Sequence, residues 1–195
     1  MTDEETTERP RARERVTRAI VTPRLRLRPL ALGDAPTVAK LLDDYDIVKM
    51  LSRLPWPYSL DDAESFIADH GEETVFAICV KASGGLVGLC GLQPDETRMD
   101  RGELGFWIGR PHWGNGYATE AAHAAIDYGF TALRLNEITV NCRVINDASR
   151  RVIWKCGFRF RGNGMIDTVA AGRVAAEHFV LDRSCWRSLK SWGEA

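Results

Sequence analysis

The sequence predicts a mixed α/β domain in which one mostly antiparallel sheet is flanked by helices. Short extended runs, rich in β-branched and aromatic residues and joined by turn-formers, crowd the stretch before residue 108. An alanine-rich helical segment opened by Gly114-Asn115-Gly116 interrupts them. Further extended runs follow, beginning at Glu137, Gly157 and Glu177. At 195 residues the chain can bury a substantial core, yet is short for two ordinary domains.

Residues 1–21 alternate acids with Arg9, Arg11, Arg13, Arg15 and Arg18 and offer little to bury, so they read as a charged, flexible tail before a single domain over 22–195. Leu25 and Leu27 alternate with Arg26 and Arg28, the pattern of a half-buried first strand. Gly33-Asp34 then starts a helix carrying Val38, Leu41 and Leu42. Ser59 is placed to cap a helix from Leu60 to about His70, with Asp61, Asp62 and Glu64 suited to its first turn. Runs 75–80 and 86–92, on either side of Ala82-Ser83-Gly84-Gly85, read as a hairpin, and 102–108 completes the antiparallel run. Ala118, Ala121, Ala122, Ala125, Ile126 and Gly129 recur at helical spacing. After them come a strand over 137–144 and a short helix following Asn146-Asp147-Ala148-Ser149 through Lys155. Strands over 157–161 and 177–182 would close the sheet, with the small-residue run 162–176 read as a loop between them.

Composition excludes several classes. A formal charge of -1 and a pI near 6.4 argue against a general binder of nucleic acid or anionic membrane. No apolar run approaches the length of a membrane span, and no signal-peptide apolar region opens the sequence. Five scattered cysteines without a C-x-x-C pair read as reduced thiols of a cytoplasmic protein, and the four histidines lack metal-ligand spacing, so no metal is expected.

The segment Trp113-Gly114-Asn115-Gly116-Tyr117-Ala118-Thr119-Glu120 carries the chemistry. Two glycines ahead of a helix let successive backbone N-H groups face one concavity, where the helix dipole favours an anion such as a phosphate. A nicotinamide-type fingerprint is a poor match. It wants a small residue where Thr119 stands, glycines directly after a strand, and an acid ending the next strand, whereas Glu137 precedes it.

The order strand, glycine loop, helix, strand, Asn146-x-x-Ser149 and Lys155-Cys156-Gly157-Phe158 resembles the acetyl-CoA-binding core of the GNAT N-acetyltransferase superfamily. With Thr22-Pro23-Arg24-Leu25-Arg26-Leu27-Arg28 and the Trp-Gly-x-Gly-Tyr-Ala-Thr-Glu-Ala block, the chain is similar to the RimJ/RimL branch, which acetylates ribosomal-protein N-termini. The resemblance spans residues 22–186 and implies a GNAT fold whose splayed strands form the acetyl-CoA cleft.

It implies that Gly114, Asn115, Gly116, Tyr117, Ala118 and Thr119 hold the pyrophosphate, and that Phe106, Trp107 and Ile108 pair with pantetheine as an added strand. Many relatives carry Gln or Arg where this chain has Pro111, so either Arg110, one position earlier, replaces it or the backbone suffices. Asn146 and Arg151 are further candidate cofactor contacts. Glu103 is the candidate base, on the same strand face as Gly105 and Trp107, and a solvated glutamate is its plain alternative. Ser149 is the candidate donor to the leaving thiolate, because Ile153 stands where other members place a tyrosine; a helix cap is the alternative for both Asn146 and Ser149. Trp56, Tyr58 and His178 are candidate acceptor contacts. The implied activity is acetyl transfer from acetyl-CoA to a primary amine, either a protein N-terminus or a small amine such as a polyamine, amino acid or aminoglycoside. A CoA-binding sensor without turnover is the reading from a different class. The partners expected are acetyl-CoA and the amine, in a monomer or homodimer.

Overall fold

Leu25 and Leu27 are fully buried and Arg26 is exposed, so the alternation at the start of the domain is a strand. The computed structural model describes residues 19–70, 75–95 and 97–193. Strands β1 (Ile20–Val21) and β2 (Leu25–Pro29) are followed by helices α1 (Ala35–Leu42), α2 (Tyr45–Val48) and α3 (Leu60–His70). Next come β3 (Val75–Val80), β4 (Leu86–Pro94), β5 (Arg101–Ile108), α4 (Tyr117–Thr131) and β6 (Glu137–Arg143). The chain closes with α5 (Asp147–Lys155), β7 (Arg159–Thr168), β8 (Gly172–Asp182) and α6 (Arg183–Gly193).

The eight strands form one sheet in the order β1-β2-β3-β4-β5-β6-β8-β7. All neighbours are antiparallel except β5 and β6, which α4 joins as a crossover and which run parallel. Their pairing stops after Arg101↔Glu137, Gly102↔Ile138 and Glu103↔Thr139, although β5 continues to Ile108 and β6 to Arg143. The two strands therefore splay immediately beyond Glu103.

Strand alternation divides the apolar residues between two faces. Leu104, Ile138, Val140, Phe179 and Leu181 join the larger cluster with Ala121, Ala125 and Phe130 of α4. The alanines bring α4 close to the sheet, and Trp186 of α6 stacks on Phe130 at 5.1 Å. The smaller cluster packs Val38, Leu42, Ala63 and Ile67 against Ala77 and Leu89 on the other face. Each fully buried Leu or Phe contributes about 1.5–3 kcal/mol, so these clusters provide most of the driving force. Ser59 and Asp62 form the expected cap of α3: the Asp62 N-H donates to Ser59 Oγ at 3.1 Å and the Ser59 N-H to the Asp62 carboxylate at 2.8 Å.

Three features depart from the sequence reading. Residues 162–176 are not a loop: β7 and β8 pair from Arg159↔Val180 to Thr168↔Gly172, leaving only 169–171 as a turn. Glycines at 162, 164 and 172 gave this stretch a loop-like composition, but cross-strand pairing overrides local propensity. Helices α2 and α6 were not anticipated. The tail read over 1–21 lies outside the described residues except at its end, where Ile20 and Val21 pair with Leu27 and Arg26.

Candidate active site

The glycine loop ends in a left-handed Gly116 (φ 75°), which serves as N-cap of α4 without any side-chain cap. The first backbone bond of the turn runs from Glu120 N-H to the Gly116 carbonyl at 3.1 Å. The N-H groups of Tyr117, Ala118 and Thr119 thus lead out of the helix start toward the loop, as an anion site requires. A Cβ on Gly114 would meet nothing within 4 Å, so the concavity is open there. Asn115 braces the loop by donating Nδ2-H to the carbonyls of His112 and Trp113, at 3.0 and 3.2 Å. These residues fit the pyrophosphate of acetyl-CoA.

On β5, Glu103 lies in the last pair before the splay and projects from the face opposite α4. Its Oε1 accepts from Asn141 Nδ2 at 2.8 Å, and Asn141 Oδ1 lies 2.6 Å from His178 Nδ1. Glu103, Asn141 and His178 therefore form a hydrogen-bonded row across β5, β6 and β8. The row lines a cavity of about 790 Å³ that also receives Thr139, Arg53 and Arg161. Two residues singled out independently from the sequence are thus brought into one network. A Cβ on Gly164 would sit 2.4 Å from His178 Nε2, so only glycine leaves room for the imidazole there.

Phe106 and Trp107 point to opposite faces, into the larger and smaller clusters respectively, while their backbone lies along the splayed edge. The Ile108 carbonyl, at the end of the run expected to pair with pantetheine, accepts from Trp113 Nε1 at 2.6 Å, the indole folding back over the strand end. Arg110 is likewise engaged elsewhere. Its Nη2 donates to Asp44 at 2.8 Å and Asp46 at 2.7 Å, and its guanidinium stacks 5.0 Å over Trp113. Two carboxylates and the indole at the start of the glycine loop thus engage Arg110 in this structure.

Asn146 caps α5, its Oδ1 accepting from Ser149 N-H at 3.0 Å, which is the helix-cap alternative realised. Ser149 sits beside Cys142: burial pushes that thiol's pKa up, and the hydrogen bond with Ser149 works against the shift. Cys142 belongs to the larger cluster, so Ser149 approaches β6 from the α5 side and Glu103 from the cavity side. Arg151 is exposed on α5. Tyr58 is 6% exposed in the smaller cluster; burial and then Asp62 raise its pKa to about 12, and its hydroxyl has no hydrogen-bond partner among the described residues. It packs in the core and is not among the residues lining the cavity. Trp56 is half-exposed and packs against Tyr45 at 5.4 Å between ring centroids.

Sequence reasoning missed Asn141 and Arg24. Thr22 Oγ1 donates to Glu120 Oε1 at 2.6 Å, and Arg24 donates to the same carboxylate from its backbone N-H at 2.8 Å and from Nε at 2.7 Å. Arg24 Nη1 also reaches the Asn115 carbonyl at 2.8 Å, and its guanidinium lies 5.2 Å over the Tyr117 ring. Burial works to raise the pKa of Glu120, but these donors outweigh it and hold the carboxyl below its ordinary value. Both ends of this clamp lie in motifs visible in the sequence, 96 positions apart; their meeting is a property of the fold.

A family model described as Acetyltransferase (GNAT) domain matches residues 24–159. The chain is 32% identical to the uncharacterized N-acetyltransferase p20 of Bacillus licheniformis over 148 residues, covering 73% of this chain and 83% of that protein. It is 27% identical to spermidine N(1)-acetyltransferase of Escherichia coli over 144 residues, 72% and 76% of the two chains. RimJ of Mycobacterium smegmatis, solved in complex with CoA-disulfide, superposes with a TM-score of 0.69 at 20% identity, covering 87% of this chain and 89% of RimJ.

Proposed function

We propose, since the chain belongs to the GNAT acetyltransferase family, that this N-acetyltransferase uses acetyl-CoA and acts on a primary α-amine of the kind found at a peptide or protein N-terminus. The observation that carries the reading is the position of Glu103: at the mouth of the splay, in a hydrogen-bonded row, facing a cavity large enough for an acceptor. Bound acetyl-CoA would supply an activated acyl carbon and a thiolate leaving group.

The chain's own residues fill the remaining jobs. The N-H groups at the start of α4 neutralise the pyrophosphate. Glu103 takes the proton that the amine sheds as its nitrogen bonds to the acyl carbon, either directly or through water. Ser149 donates a hydrogen bond to the sulfur as the carbon-sulfur bond breaks. An α-amine with pKa near 8 is about a tenth neutral at pH 7, whereas a lysine amine near 10.4 is neutral in well under about a thousandth of molecules. A single carboxylate whose other contact is a neutral amide is adequate for the first and weak for the second.

Mass-resolved acetyl transfer from acetyl-CoA to a mixed panel of short peptides and small amines tests the reading. Labelling of free peptide N-termini is expected. Labelling confined to lysine side chains or polyamines would overturn the α-amine assignment.

A further inference from the structure

We propose that the acceptor amine carries an anionic group, a carboxylate or a phosphate, received by the arginines that line the cavity with Glu103, Arg53 or Arg161. The proposal rests on the N-acetyltransfer reading above and names the substrate class for that same site.

Arg161 is built into position by an irregularity in the sheet. Phe160 pairs with Phe179 and Gly162 pairs with His178, so Arg161 is the extra residue of a bulge beside the row. A bulge re-aims its side chain out of the usual alternation, and here that side chain lines the cavity. It is 59% exposed, and its carboxylate neighbour is Glu137 at 3.7 Å. That carboxylate is already approached by Arg101 at 3.1 Å and Arg98 at 3.8 Å. One anion shared by three guanidinium groups leaves Arg161 most of its five N-H donors.

Arg53 reaches the same cavity from the loop after α2. That loop is fastened across the site: the Val169 N-H donates to the Ser52 carbonyl at 2.9 Å, and Arg143 Nη1 donates to the Lys49 carbonyl. Among the described residues Arg53 has no hydrogen bond or ion pair. The carboxylates lining the cavity accept hydrogen bonds from neutral groups and keep their charge. Glu103 Oε1 accepts from Asn141, and Asp95 Oδ1 accepts from the Thr97 N-H and hydroxyl and the Arg98 N-H. Farther off, Asp44 and Asp46 are held by Arg110, with Lys49 also on Asp46. The lining thus sets Arg53, Arg101 and Arg161 against Glu103 and Asp95, with Arg53 unpaired among the described residues, a balance that suits an anion.

Glu103 on β5 lies two strand spacings from His178 on β8 and three, roughly 14 Å, from the bulge on β7. Residues of an extended peptide advance about 3.3 Å each, so with the α-amine at Glu103 a side-chain anion two residues on meets Arg161 through its own length and that of the arginine side chain. An amino-acid conjugate of similar span would fit equally.

Four amidated tripeptides that share their first two residues and differ only in the third (glutamate, phosphoserine, glutamine or lysine) test this with wild type, Arg53→Gln and Arg161→Gln. With wild type, kcat/KM for the glutamate or phosphoserine peptide is expected to exceed that for glutamine by about 10- to 100-fold, mainly through KM, with lysine lowest. Which anion leads identifies the source, carboxylate or phosphate. Each substitution should pull the anionic-to-neutral ratio toward unity, and raised salt should shrink it in wild type. A glutamine or lysine peptide used as well as the anionic ones, or a preference that survives in both variants, would overturn the proposal. Acetylation of none of the four, with acetyl-CoA still bound, would instead overturn the underlying N-acetyltransfer reading and this proposal with it.

Discussion

The orientation of Asn141 decides what His178 can offer an acceptor. An ionised Glu103 only accepts hydrogen bonds, so the Asn141 amide nitrogen faces it and the amide oxygen faces His178 Nδ1. That oxygen needs a donor, which puts a ring proton on Nδ1 and, in the neutral ring, leaves a lone pair on Nε2. Gly164 supplies the space for Nε2, and Gly164→Ala would place a methyl 2.4 Å from it. The obstructed atom is the far end of a side chain, so the ring swings away at little cost. The melting temperature should stay within about 2 °C, while kcat/KM for the acceptor falls several-fold and KM for acetyl-CoA is unchanged. Thermal melts with steady-state kinetics check this, and wild-type kcat/KM in the variant would remove His178 from the site. Glu103 and His178 were legible from strand alternation and from their places in the chain. Asn141 was not, because its role exists only once β8 pairs with β6 and sets His178 opposite it.

The glycine loop and helix α4 are held by β2. Thr22 and Arg24 converge on Glu120, and Arg24 also grips the loop carbonyl of Asn115, so the cradle is braced by an element far away in sequence. The carboxyl of Glu120 is held below its ordinary value of 4.5. A carboxyl depressed on folding adds stability that is complete above the unfolded value and is lost as pH falls through the folded one. Glu120→Gln should therefore lower the melting temperature by about 2–4 °C at pH 7, and the difference should shrink as pH falls below the ordinary carboxyl value and vanish once the folded carboxyl is protonated. A difference that persists in acid would show that the charge of Glu120 is not what holds the brace. Helix α4 itself was plain in the sequence from its glycine start and alanine spacing. The β7–β8 hairpin was not, because its glycines and charges fit a loop locally and only the long pairing with β8 makes it a strand. Helix α6 was hidden for a related reason: its anchor is tertiary, Trp186 Nε1 donating to Asp127 of α4 at 2.8 Å.

At the scale of the whole molecule, one parallel strand pair in an otherwise antiparallel sheet creates the site. The α4 crossover forces β5 and β6 to run parallel, their pairing ends at Glu103 and Thr139, and the gap beyond lies between the α4 N-terminus and the acceptor cavity. Cofactor holding and proton removal thereby fall on different elements, the glycine loop and β5. The two jobs should be separable by mutation. The measurement that tests this most directly is acetyl-CoA binding by calorimetry alongside single-turnover acetyl transfer, for wild type, Gly116→Trp and Glu103→Gln. Gly116→Trp is expected to abolish cofactor binding, since the indole must fill the cradle at a left-handed position. Glu103→Gln should bind acetyl-CoA within a few-fold of wild type and transfer at least about 100-fold more slowly. Wild-type binding in Gly116→Trp, or wild-type transfer in Glu103→Gln, would contradict the division of labour described here.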